Sequence, residues 1–195
     1  MGYLSPQQIH EIGFSSIGKN PLLSDKASYY NCKNVKIGGN VRIDDFCVIS
    51  AGAGGIEIGN HVHIAVYASL IGAGRITVSD FSGISSRVAI YSSNDDYSGS
   101  FLTGPTVPSE FTNVTNADVF IGPHVIIGAG SVVLPGVTLE EGVAIGALSL
   151  VSRDCEAFGM YSGVPAKRIK ERKKDLLQME RVFKTRLPLQ TLAEN

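Results

Sequence analysis

Asn94, Asp95 and Asp96 stand side by side between Tyr91 and Tyr97, in a stretch reaching Asp118 that is rich in Ser, Thr, Gly and Pro. Amide and carboxylate groups gathered this way can hydrogen-bond a polyol, orient an amine or accept a proton. An ordinary aspartate, with a pKa of about 3.9, is a weak base toward a hydroxyl unless burial raises it. A second concentration of charge comes later, as Lys167, Arg168, Lys170, Arg172, Lys173 and Lys174. Most of these cations suit a solvated helix face, and those nearest Pro165 are the candidates for binding an anion. Cys32, Cys47 and Cys155 are widely spaced, without a paired metal motif, and are expected to be buried or free thiols. A net charge of -1 and no recognition motif give no reason to expect nucleic acid.

Those groups need a scaffold, and the apolar residues describe one. Ile121, Ile127, Val133, Leu139, Ile145 and Val151 recur at every sixth position, and the same period runs through Ile37, Ile43 and Ile49, then Ile58, Ile64 and Leu70, then Val78, Ile84 and Ile90. Period six fits neither the 3.6-residue helix nor simple strand alternation. It predicts an all-β solenoid of short strands, three six-residue faces to a coil, with each recurring aliphatic pointing inward. A single coil cannot bury its own apolar stripe, so the coils must stack. Small residues after the inward position, such as Gly38, Gly59, Ala65 and Gly122, suit sharp corners. Frame shifts at Gly52–Gly55 and Gly72–Gly74 read as short corner insertions.

The stretch from 91 to 118 is far too long for a corner, and binding groups often sit on such loops because a rigid scaffold positions them. Ser5-Pro6-Gln7-Gln8 reads as a capped helix start and Gly13 as its stop, giving a short helix that covers the first coil. Residues Ala166 to Phe183 read as a helix and Lys184 to Asn195 as a tail. The organisation expected is an N-terminal helix and lead-in over 1–30, a β-helix domain over 31–165 with the loop 91–118 inserted, and a C-terminal helix and tail over 166–195. No apolar stretch approaches membrane-spanning length and no leader pattern opens the chain, so the expected compartment is the cytoplasm.

The ladder from Val35 to Val151, the stretch Ile127-Gly128-Ala129-Gly130-Ser131-Val132-Val133-Leu134-Pro135-Gly136-Val137 and the terminal Ser162-Gly163-Val164-Pro165-Ala166-Lys167 together resemble the left-handed parallel β-helix acyltransferases of the bacterial hexapeptide-repeat family. Within it, the N-terminal helix and interrupting loop look most like enzymes that acetylate sugars for surface polysaccharides. The resemblance implies a homotrimer with three active sites in clefts between coils, and acetyl-coenzyme A lying along the C-terminal coils. Ala129, Gly130, Gly146 and Ala147 would then line the pantetheine channel, and Lys167 and Arg168, with Arg172, would meet the phosphates.

Many of these enzymes use a histidine at the start of the loop as base, and here that region reads Tyr91-Ser92-Ser93-Asn94-Asp95-Asp96-Tyr97. The base must therefore be Asp95 or Asp96, or His63, whose place just before inward Ile64 turns it outward, or His124 from a neighbouring turn. Asn94 and Ser93 are candidates for binding the sugar or an oxyanion. The function expected is transfer of acetyl from acetyl-coenzyme A to a sugar hydroxyl in O-antigen or capsule synthesis. The alternatives are N-acetylation of a nucleotide-linked amino sugar, which needs a less powerful base, and a noncatalytic trimeric binding protein. Metal-dependent hydration ranks lower, because His61, His63 and His124 do not make the expected set.

Overall fold

The computed structural model describes residues 2–191, with side chains through Arg186. Its body is a left-handed parallel β-helix of six complete coils and a partial seventh. The first face stacks Ser16–Ile17, Val35–Ile37, Ile56–Ile58, Ile76–Val78, Val119–Ile121 and Thr138–Leu139. The second stacks Leu22–Leu23, Arg42–Ile43, His63–Ile64, Gly83–Ile84, Ile126–Ile127, Ala144–Ile145 and Gly159–Ser162. The third stacks Ser28–Tyr30, Val48–Ala51, Ser69–Gly72, Ala89–Tyr91, Val132–Val133 and Leu150–Val151.

The six-residue aliphatics fill the axis: Ile43, Ile64, Leu70, Ile127 and Leu139 are wholly buried. Each such side chain contributes about 1.5–3 kcal/mol relative to exposure. The residue two positions earlier also points inward, as Val41, Val62 and Val125 do, so each six-residue unit buries two side chains. Ser82, Ser131 and Ser149 take that second position in three units, and their hydroxyls donate to the carbonyls of Gly122, Gly146 and Gly146 respectively, at 2.9, 3.0 and 2.7 Å.

The corners refine the expectation for small residues. Gly38 and Gly59 have ordinary φ, and what requires glycine is close stacking: a Cβ on Gly38 would come within 2.6 Å of the Gly59 backbone. The left-handed residue comes two positions later and is often large, as with His61, Phe81 and His124 at the first-to-second corner and Phe46, Tyr67 and Arg87 at the second-to-third. Left-handed backbone costs an L-residue about 1–2 kcal/mol, and stacking between coils offsets it. His61 lies 4.9 Å from Phe81, Phe81 5.3 Å from His124, and Phe46 5.0 Å from Tyr67, all near-parallel.

At the N-terminus, α1 (Pro6–Ile12) has the expected capping box at Ser5 and Gln8 and a left-handed Gly13, and its Ile9 is buried with the first coil. Coiling begins at Ser16, inside the segment expected as a lead-in. The C-terminus departs further. Lys167–Glu171 is a strand, antiparallel to Gly159–Ser162, rather than the start of a helix. The open edge of the last coil supplies backbone partners that outweigh the local helical spacing. The helix that follows, α2 (Asp175–Thr191), runs beyond Phe183 into the expected tail, and residues 192–195 lie outside the described residues. It folds back over coils three to five.

Candidate active site

His63 projects outward from the second face, its side chain half exposed, and its Nε2 lies 2.8 Å from Oδ2 of Asp44 on the coil below. Asp44 is itself 6% exposed and accepts a second bond, 2.6 Å long, from Nε of Arg42. Burial pushes the Asp44 carboxyl up, but the hydrogen bonds and positive charges of His63 and Arg42 outweigh it and hold the group below the usual carboxylate range. An ionised carboxylate can only accept, so Nε2 of His63 must carry the proton and Nδ1 the free lone pair. That is the arrangement of a base with its ring fixed by an anion.

The imidazole borders a recess of about 270 Å³ lined also by Gly83, Ser85, Ser86 and Ile126. The two serines escaped the sequence reading, because a hydroxyl at a corner is common. The signal available was their position, one coil above Ala65 and one below Gly128. From there the second-to-third corner continues through Gly128-Ala129-Gly130 and Gly146-Ala147 to Ser162-Gly163. A Cβ on Gly128 would fall 2.4 Å from the Ala147 nitrogen and one on Gly146 2.7 Å from Oγ of Ser162. Ala129 and Ala147 are exposed on this small-residue path, which suits an extended pantetheine arm.

The expected cations divide. Lys167 is exposed on the closing strand, whereas the Arg168 guanidinium bridges Glu156, at 2.9 Å, and Glu171. Arg172 donates to the carbonyls of His124 and Gly142 at 2.7 and 3.0 Å, and burial lowers its pKa. Those two bonds clamp the end of the closing strand to the first-to-second corner.

His124 also departs from expectation. Its side chain is 9% exposed, stacked on Phe81 and bonded through Nε2 to Glu180 of α2 at 3.0 Å. Phe183 of the same helix meets His61 and Phe81 edge-on, at 5.1 and 6.0 Å. A groove of about 620 Å³ lies on this side, on the first face. Within it Lys36 pairs with Glu57 and Lys184 with Glu180.

The loop leaves from the third-to-first corner and no loop residue lines the His63 recess within one chain. Its base is a short hairpin pairing Ser93 with Asn116 and Asn94 with Thr115. Asp96 accepts from the Ser98 amide and Asn113, and the Ser98 bond above all holds its carboxyl below the usual range. It organises the loop, while Asn94 and Asp95 are exposed. Among the described residues no group of three or more His, Cys, Asp or Glu side chains is placed to hold a metal ion. Cys47 and Cys155 are buried, with thiols pushed up to about 11 by that burial.

Residues 118–153 match the family of bacterial transferase hexapeptide proteins (six repeats). The chain is 61% identical, over 94% of its length and 96% of the relative's, to the dTDP-4-amino-4,6-dideoxy-D-glucose acyltransferase of Escherichia coli. It belongs to the hexapeptide-repeat acyltransferases. Among solved structures of this family it is similar to AntD, an N-acyltransferase from Bacillus cereus in complex with dTDP and coenzyme A, at 44% identity and a TM-score of 0.90 over 95% of this chain and 99% of that one. It is also 30% identical, over 71% of its length and 69% of the relative's, to the putative lipopolysaccharide biosynthesis O-acetyl transferase WbbJ of Escherichia coli K12. Like other hexapeptide-repeat acyltransferases of this kind, the chain is an acyl-coenzyme A-dependent enzyme acting on a sugar.

Proposed function

We propose that the enzyme transfers an acetyl group from acetyl-coenzyme A to the 4-amino group of a dTDP-linked 4-amino-4,6-dideoxy sugar. The observation that carries this reading is the near-full-length identity to an acyltransferase of that name. AntD, in one of its structures, holds dTDP-4-amino-4,6-dideoxyglucose and coenzyme A, and matches here at 43% identity with a TM-score of 0.87 over 94% of this chain. Both relatives support the amine acceptor over the hydroxyl expected first. The loop that lacks histidine agrees, because a neutral amine attacks without prior deprotonation and asks less of a base.

Acyl-coenzyme A brings an activated carbonyl and a thiolate leaving group. As the amine nitrogen bonds to the carbonyl carbon and the carbon–sulfur bond breaks, the nitrogen must shed one proton. His63 Nδ1 takes it, and Asp44 steadies the resulting imidazolium. The thiolate finally receives the proton. The hydroxyls of Ser85 and Ser86 are the donors available for charge developing on the carbonyl oxygen. Asn94 and Asp95 complete the site from the loop of a neighbouring subunit of a homotrimer, where Asp95 orients the amine. Lys167 meets the phosphates of the donor. Both substrates belong to the cytoplasm, and no described helix is long and apolar enough to cross a membrane.

The test incubates purified enzyme with acetyl-coenzyme A and either dTDP-4-amino-4,6-dideoxyglucose or the corresponding 4-hydroxy sugar nucleotide, following thiol release and product mass. Acetylation of the amine alone is expected. Transfer to the hydroxyl compound with none to the amine overturns the reading.

A further inference from the structure

Gly83 has no structural reason to be glycine. It sits in a strand with ordinary φ, and a Cβ built on it would meet only Cγ1 of Ile126, at 3.9 Å. The corner glycines are different, since a Cβ on Gly59 would fall 2.3 Å from the Asp80 carboxylate and one on Gly128 2.4 Å from backbone. Strand glycine costs about 0.5–1 kcal/mol relative to alanine, so this position gives up stability that an ordinary side chain would supply.

What the missing side chain does is visible in the register. Arg42, His63, Gly83 and Ile126 form one outward column on successive coils. His63 and Ile126 flank a gap at Gly83, and that gap is the floor of the recess beside the imidazole. Neighbouring strands are about 4.8 Å apart, so a group lying over Gly83 is within reach of His63. The small-residue path suited to the donor starts one coil further on, at Gly128, and runs away from His63.

We propose that Gly83 is a specificity-determining residue: its bare backbone is the seat on which the acceptor's pyranose ring lies with its amine toward His63. This rests on the amino-sugar reading of the site. Any side chain at 83 would fill the seat while leaving the coil intact.

The test compares wild type with Gly83→Ala and Gly83→Val in steady-state acetylation of dTDP-4-amino-4,6-dideoxyglucose, with thermal denaturation alongside. The expected result is an acceptor KM raised about tenfold or more in the valine variant and less in the alanine variant. The acetyl-coenzyme A KM should stay put and the melting temperature hold or rise, since β-branched residues suit strands. An unchanged acceptor KM in a folded valine variant overturns the proposal. So does a rise confined to the acetyl-coenzyme A KM, which would make the recess part of the donor's path. Wild type separates the two readings: if it transfers no acetyl to the amino sugar, the proposed function itself falls, whereas active wild type with an unmoved valine variant removes only Gly83's role.

Discussion

Two corners of the same coils carry histidine and come to opposite ends. At the first-to-second corner, His61 and His124 adopt left-handed backbone, stack through Phe81 and are covered by α2. Near the second-to-third corner, His63 stands on the strand itself, half exposed, with a buried carboxylate behind it and two serines in front. The coils there end in Gly128-Ala129-Gly130 and Gly146-Ala147, and among the described residues no helix crosses them. A hexapeptide solenoid offers every coil the same backbone positions. What separates the packed histidines from His63, the proposed base, is which position each takes and whether the C-terminal helix passes over it.

The sharpest way to break that contrast is to remove each imidazole in turn. His63→Ala should lower turnover about 10²- to 10⁴-fold, the usual contribution of a positioned base, with the melting temperature close to wild type. His124→Ala should do the reverse, destabilising by about 1–3 kcal/mol through lost stacking and the lost hydrogen bond to Glu180 while folded enzyme keeps its turnover. Steady-state rates and thermal denaturation on the same preparations decide, and a folded His124→Ala enzyme that is inactive would reverse the assignment. A smaller effect is expected at Asp44, whose carboxylate is bonded to Nε2 of His63, the proposed base. Asp44→Asn should reduce kcat, by less than His63→Ala does, with little change in the acetyl-coenzyme A KM. Partial recovery in Asp44→Glu would mark a positioning role, and equal losses in both variants would mark a structural one.

Much of this was legible in the chain before any coordinates. Each aliphatic of the six-residue ladder is buried, because a coil has a single inward direction and the period repeats it. The capping box at Ser5 is a local signal and appears as read. The losses are non-local. Lys167–Glu171 has helical spacing but finds an unpaired coil edge, and spacing cannot report an edge. His124 looks free until a helix 56 residues downstream brings Glu180 to it. Arg42 is the register partner of His63, and Asp44 stands two residues further along the same strand edge. Counting coils brings Arg42 and Asp44 near His63, and reading His63 alone does not. Charge near Pro165 points to Lys167 and Arg168 as phosphate contacts, and what it cannot report is that Glu156 and Glu171 pair with Arg168, since their proximity depends on the same strand.

The smallest effect concerns how α2 holds the covered corner. The hydrogen bond from Lys184 first, then that from His124, hold the Glu180 carboxyl below the usual range against a contribution from burial that raises it. A carboxyl whose pKa is depressed by folding adds stability that is fully present above its unfolded value, about 4.3, and is lost as the pH falls through its folded value. Melting temperatures of wild type and Glu180→Gln should therefore differ near pH 6 and converge only once the pH has fallen below the folded value, where both side chains are neutral. Partly exposed pairs of this kind contribute no more than about 1 kcal/mol, so the separation will be a few degrees at most. A gap that persists unchanged at the acid end would mean that Glu180 acts through its shape and packing, and the covered corner would then owe its closure to Phe183 and the aromatic stack alone.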